Sequence, residues 1–187
     1  PEVALAVREH YAPRFAGDAL PSTPVSMAVA IADKLETLTG MFGIGLLPTG
    51  DKDPFALRRH ALGILRMIIE RNLDLSLEDL VKSAFAVELS VPGVQDATDA
   101  LMTFFFDRLR VMLRDEEYSA QEVDAVLAKH IVKPADFVRR IEAVKKFMML
   151  PEAQSLSDAN KRIGNILKKV TGDIPDAVCK GLLKEPA

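Results

Sequence analysis

A single cysteine, Cys179, occurs among the 187 residues, so no internal disulfide can form. No second cysteine and no histidine stands near it at a metal-ligand spacing, which points to a spectator thiol and a reducing compartment. Tryptophan is absent and aromatic residues make up only 6% of the chain, a thin supply for stacking exposed bases. No run of about 18 apolar residues occurs, and no charged start leads into an apolar stretch with a cleavage site. A membrane span and a secretory leader are therefore not expected, and a cytoplasmic location is. No His-Asp dipeptide is present, His10, His60 and His130 are scattered singly, and no serine or cysteine nucleophile stands beside a histidine. Catalytic residues and metal ligands are accordingly not assigned. Strand signals are nearly absent as well.

What the chain does have is 49% hydrophobic residues, enough to bury a core, spaced three and four apart between polar caps and prolines. That pattern predicts an all-α multi-helix bundle of two packed helical segments with no significant sheet. Thr23 and Pro24 read as N-cap and first residue of a helix through Ala28, Ile31, Leu35 and Leu38, stopping at Gly40, Gly43 and Gly45. Asp53 and Pro54 repeat the device, opening a helix with Leu57, Ala61, Ile64, Leu65 and Ile68 on one side. Further helices are predicted over 77–88, 94–114, 119–129, 135–149 and 152–170, with Ser119 and Glu122 as a capping box. Phe104, Phe105 and Phe106, with Leu101, Leu109 and Met112, read as core seams. Val91, Pro92 and Gly93 mark the expected domain boundary, dividing the chain into 1–90 and 91–187.

The net charge of −3 conceals an uneven distribution. Between Phe137 and Val170 eight basic residues stand against three acidic ones, so this segment carries +5 and the remainder −8. A local cationic stripe attracts phosphate through a field that the averaged charge hides. On a helical wheel Leu156, Ala159, Ile163, Ile166, Leu167 and Val170 gather on one side, and Lys161, Arg162, Asn165, Lys168 and Lys169 on the other. Cations neutralise phosphates and an asparagine can bond a base edge or a ribose hydroxyl, so RNA is one partner this face suits; a solvated helix face is the other reading. The preceding helix is expected to bury Phe137, Ile141, Val144 and Met148 and to leave Arg139, Arg140, Lys145 and Lys146 outside, the two helices giving one basic surface.

The loop GIGLLPTGDKDP (Gly43–Pro54) invites a phosphate-loop reading and fails it. Asp51 separates Gly50 from Lys52, no Ser or Thr follows the lysine, and no strand precedes the loop. A helix stop, a turn and a capped helix start account for it, with Lys52, Arg58 and Arg59 at its mouth to meet RNA or solvent.

FGIGLLPTGDKDPFALRRHALGILRMIIE (Phe42–Glu70), EHYAPRFAGDALPSTPVSMAVAIADKLETLTG (Glu9–Gly40) and ANKRIGNILKK (Ala159–Lys169) resemble, in this order, the bacterial glycyl-tRNA synthetase β-subunit family. The resemblance implies a fragment: the latter half of an HD-like helical domain over 1–90, then the first part of a helical anticodon-binding domain, related to that of arginyl-tRNA synthetase and stopping before completion. It further implies part of a ligase that charges tRNA with glycine, in an α2β2 assembly whose α subunit holds the ATP and magnesium site. The β subunit chiefly engages tRNA, so no cofactor is expected in this chain. RNA contact is then assigned first to Lys161, Arg162, Asn165, Lys168 and Lys169, next to Arg139, Arg140, Lys145 and Lys146, and third to Lys52, Arg58 and Arg59. IADKLETL (Ile31–Leu38) resembles the closing aspartate helix of HD phosphohydrolases, which makes Asp33 a vestigial metal ligand or a capping or salt-bridging aspartate. A metal-dependent phosphohydrolase remnant and a helical subunit-docking module without RNA contact stand as the alternatives.

Overall fold

The computed structural model describes residues 1–116, 118–128 and 133–172. The described residues are all-α: α1 (Glu2–Glu9), α2 (Pro24–Gly43), α3 (Leu57–Glu70), α4 (Leu77–Glu88), α5 (Thr98–Asp115), α6 (Ala120–Leu127), α7 (Ala135–Met148) and α8 (Ala153–Leu167). Extended pairing among them is limited to one isolated bridge between Thr49 and Lys52. The chain divides into two compact units, Pro1–Lys146 and Phe147–Ala187. The expected boundary at Val91–Gly93 is the turn between α4 and α5, both of which belong to the first unit.

In the first unit α2 is the central element, packing on α1, α3, α4 and α5. Its start is specified locally: Thr23 Oγ1 accepts from the Ser26 N–H at 3.1 Å and Pro24 supplies a preset φ at the first helical position. The helix runs through Gly40 and stops at Gly43, three residues later than the first glycine. At Gly43 the absent side chain matters, because a Cβ would lie 2.5 Å from Val94 Cγ1 and 3.2 Å from the Gln95 carbonyl oxygen. The Gln95 N–H donates to the Gly43 carbonyl at 2.9 Å. Residues 94 and 95 are thereby held as loop, and α5 starts at Thr98 instead of the predicted 94.

The predicted Asp53–Pro54 helix start also moves. α3 begins at Leu57 behind Ala56, whose backbone is left-handed at φ 55°. Asp53 nevertheless caps it from outside, its carboxylate accepting from the N–H groups of Leu57 at 2.8 Å and Arg58 at 3.0 Å. Helix α4 matches the predicted 77–88, and the Ser119–Glu122 capping box is formed. The short α1 carried no marked signal in the sequence; it is held by packing on α2.

One core runs through this unit, built from residues at helical spacing. Leu35, Leu38 and Phe42 of α2 meet Ile64, Leu65 and Ile68 of α3, Val81 and Phe85 of α4, Leu101, Phe105 and Leu109 of α5, and Phe137 and Ile141 of α7. Phe104 and Phe106 are partly buried against that core, Phe104 lying 5.2 Å from Phe42 and Phe106 6.5 Å from Phe137 by ring centroids. At about 1.5–3 kcal/mol for each large apolar side chain removed from water, this layer dominates the stability of the unit.

In the second unit α8 is exposed along nearly its whole length, Ala153 being buried. Its predicted apolar side is present but open, with Leu156 56% and Ile163 55% exposed. The helix ends at Leu167, and Lys168 and Lys169 follow in a tightened turn, the Lys169 N–H donating to the Ile166 carbonyl at 3.0 Å.

Candidate nucleic-acid interface

On α8 the structure brings Lys161, Arg162, Asn165 and Lys169 to the rim of one open depression, which Asp158 and Ile166 also line. Lys168 lies outside that rim as the C-cap residue. All five predicted residues are exposed, and none of the four cations forms an ion pair among the described residues. An exposed ammonium or guanidinium without a carboxylate partner keeps its charge available to an external anion. Lys168 and Lys169 sit at the C-terminal end of the helix, where its partial negative charge favours cations.

Asp158 was counted in the charge of the 137–170 segment but was not placed on this face. It occupies the same face, one turn before Arg162, with its Oδ2 accepting from Gln154 Nε2 at 3.0 Å. Lys161, Arg162 and Lys169 thus surround one amide and one carboxylate, and the carboxylate offsets part of their positive charge. Its position on the 100° wheel, between Asn165 and Lys169, was readable from the sequence.

In α7, Phe137 and Ile141 are buried and Val144 is partly buried, as the spacing predicts, but Met148 is 46% exposed and Phe147 39%. Both lie beyond Lys146, where the first unit ends. Arg139, Arg140, Lys145 and Lys146 are all exposed. Arg139 is engaged within its own unit, donating to Asn72 Oδ1 at 2.7 Å and standing 3.9 Å from Asp136. Lys145 lies 5.8 Å from the Tyr118 ring centroid. The Tyr118 hydroxyl donates to Glu142 at 3.0 Å; burial, then that hydrogen bond, pushes the phenol pKa up. Arg140 and Lys146 make no ion pair among the described residues.

At the third position, Lys52 is exposed at the end of a turn closed by reciprocal backbone hydrogen bonds with Thr49, 2.9 and 3.1 Å. Arg58 is committed to that turn through its guanidinium on the Gly50 carbonyl. Arg59 is exposed and unpaired among the described residues. Asp33 is half-buried, and no group of three His, Cys, Asp or Glu side chains converges to hold a metal among the described residues. His10 hydrogen-bonds the Val7 carbonyl, whereas His130 and Cys179 lie outside the described residues. No described helix is long and apolar enough to cross a membrane.

Residues 1–128 match a family model for the glycyl-tRNA synthetase beta subunit. The chain is 58% identical over 186 residues to the glycine–tRNA ligase beta subunit of Janthinobacterium, with 99% of the chain and 26% of that relative covered. Beta subunits from Polaromonas naphthalenivorans and Dechloromonas aromatica are 55% and 54% identical, each over the whole chain and 26% of the relative. The chain therefore spans about a quarter of the length of these relatives, and the matches include α7 and α8.

Proposed function

The chain belongs to the glycyl-tRNA synthetase β-subunit family, and we propose that it is the tRNA-engaging part of a glycine–tRNA ligase β subunit. The parent enzyme charges tRNA with glycine using ATP and magnesium, bound on an α subunit with which the β subunit forms an α2β2 assembly in the cytoplasm. Residues 1–90 then belong to an HD-like domain and 91–187 to the start of an anticodon-binding domain. Asp33 acts as an electrostatic neighbour of the buried Lys34, supporting the charged form of that ammonium.

One observation carries the reading: Lys161, Arg162, Lys168 and Lys169 stand exposed and without ion pairs among the described residues around Asn165. The four cations engage backbone phosphates, and Asn165 is placed to exchange hydrogen bonds with a base edge or a ribose 2′-hydroxyl. Arg139, Arg140, Lys145 and Lys146 form the second set of contacts and Lys52, Arg58 and Arg59 the third. With aromatic residues scarce, phosphate contacts supply most of the affinity.

The test is binding of glycine tRNA and an unrelated tRNA across a salt series, beside a variant with Lys161, Arg162, Lys168 and Lys169 all changed to glutamate. Wild type is expected to lose affinity steeply with salt, and the variant to lose about three units of the logarithmic salt slope along with most of its affinity. Equal binding by both proteins would remove α8 from the interface.

A further inference from the structure

A second cationic site lies in the first unit. A cavity of about 240 Å³ is walled by Tyr11, Pro13 and Arg14 from the α1–α2 connection, Lys34 from α2, and Ala56, Arg59 and His60 around the start of α3. A single water needs about 10–15 Å³ by a comparable measure, so the space admits a polyatomic ligand. Two features of its lining, Lys34 and Arg59, favour an anion over a neutral guest.

Lys34 is 2% exposed, an unusual state for an ammonium. Its three N–H donors have one acceptor among the described residues, the His10 carbonyl oxygen at 3.3 Å, and no carboxylate stands within ion-pairing distance. The chain makes deliberate room for it. Helix α3 carries glycine at position 63, where a Cβ would lie 3.1 Å from Lys34 Cε and 3.4 Å from both Lys34 Cδ and Pro13 Cγ.

His60 Nδ1 is buried without a hydrogen-bond partner among the described residues. Arg59, on the same lining, is exposed and unpaired. Arg14 is the exception, since its guanidinium is already bonded to Asp18 at 3.0 Å. Asp33 and Asp53 act on His60 through charge alone, opposing the cations there.

We propose that this cavity is a phosphate-binding pocket, with Lys34 and Arg59 donating to the oxyanion, His60 beside them on the lining, and Tyr11, Pro13 and Ala56 forming the apolar wall. The phosphate is either a free or terminal monoester or a diester of an RNA backbone, and both present the oxygens this donor set requires. Lys34 and Arg59 approach from α2 and α3, so the ligand also ties those helices together. The site shares no residue with α8, and its failure leaves the α8 reading untouched.

The test is a titration of the whole chain with inorganic phosphate and, separately, with dimethyl phosphate, followed by the ring ¹⁵N resonances of His60 against sodium chloride at matched ionic strength. Saturable displacement of the His60 signals by phosphate is expected, with Arg59→Gln weakening binding by about tenfold while its circular dichroism and unfolding midpoint stay unchanged. A response to both ligands identifies a backbone-phosphate site; a response to the monoester anion alone identifies a free or terminal phosphate. If neither ligand moves His60 beyond the chloride control, or if Arg59→Gln binds like wild type, the pocket is not a phosphate site.

Discussion

Asp53 secures the first turn of α3 through Arg58: its carboxylate accepts the Arg58 backbone N–H at 3.0 Å, while the Arg58 guanidinium reaches back to the Gly50 carbonyl of the preceding turn. Together with the 2.8 Å bond from the Leu57 N–H, one side chain satisfies two of the orphan donors of a helix start. Asp53→Ala is expected to lower unfolding free energy by about 1–2 kcal/mol in urea melts, with Asp53→Asn recovering part of it. An unchanged midpoint in the alanine variant would show that the carboxylate is not the cap.

The close approach of Gly43 to Val94 makes a second prediction. Gly43→Ala drives a methyl into Val94 Cγ1 and should cost about 1–3 kcal/mol, although alanine is the better helix former. Adding Val94→Ala opens the space, so the double variant should lose less than the sum of the single losses. Strict additivity would mean the two residues do not touch.

The position of α5 shows where sequence reading succeeds and where it fails. Helices whose start is encoded in adjacent residues were legible: Thr23–Pro24 for α2, and Ser119 with Glu122 for α6. The true start of α5 depends partly on Gly43, some fifty residues away in sequence, which no local pattern contains, and partly on Asp96, whose carboxylate accepts the Thr98 N–H at 2.9 Å and which the sequence reading passed over. In the candidate interface, the separation of α8 cations from its apolar side followed from a 3.6-residue period. Asp158 obeys the same period and was available to the same reasoning. The Lys34–His60 pocket is a different case, because residues from the α1–α2 connection, α2 and α3 meet there only through tertiary packing.

Burial of His60 has a consequence for stability. Desolvation pushes its imidazole below the usual value of 6.5, the charges of Lys34 and Arg59 act in the same direction, and Asp33 and Asp53 oppose them. The folded state thus binds this proton less tightly than the unfolded state. The corresponding stability is fully present above pH 6.5 and is lost as pH falls from there through the lowered folded value. Urea melts between about pH 8 and pH 5 should show wild type losing stability on acidification and His60→Gln losing less. A steeper loss in His60→Gln would reverse the sign assigned to this group.

Asp158 gives a test of the α8 electrostatics in the direction of gain. Asp158→Asn removes the one carboxylate in the depression while keeping an acceptor for Gln154. tRNA affinity at low salt should rise by about two- to fivefold, the range expected for one exposed charge interaction, and the gain should shrink as salt is added. Unchanged or weaker binding would mean that phosphate does not approach this part of the helix.

The most direct test of α8 as an RNA surface is to measure the acylation rate of each lysine amine by mass spectrometry, with and without bound glycine tRNA. Lys161, Lys168 and Lys169 should be protected severalfold by the tRNA, while Lys82, already paired with Glu78 at 2.6 Å, reacts at the same rate in both. Unchanged rates at Lys161, Lys168 and Lys169 under conditions where the tRNA is bound would contradict the assignment and place the interface elsewhere on the chain.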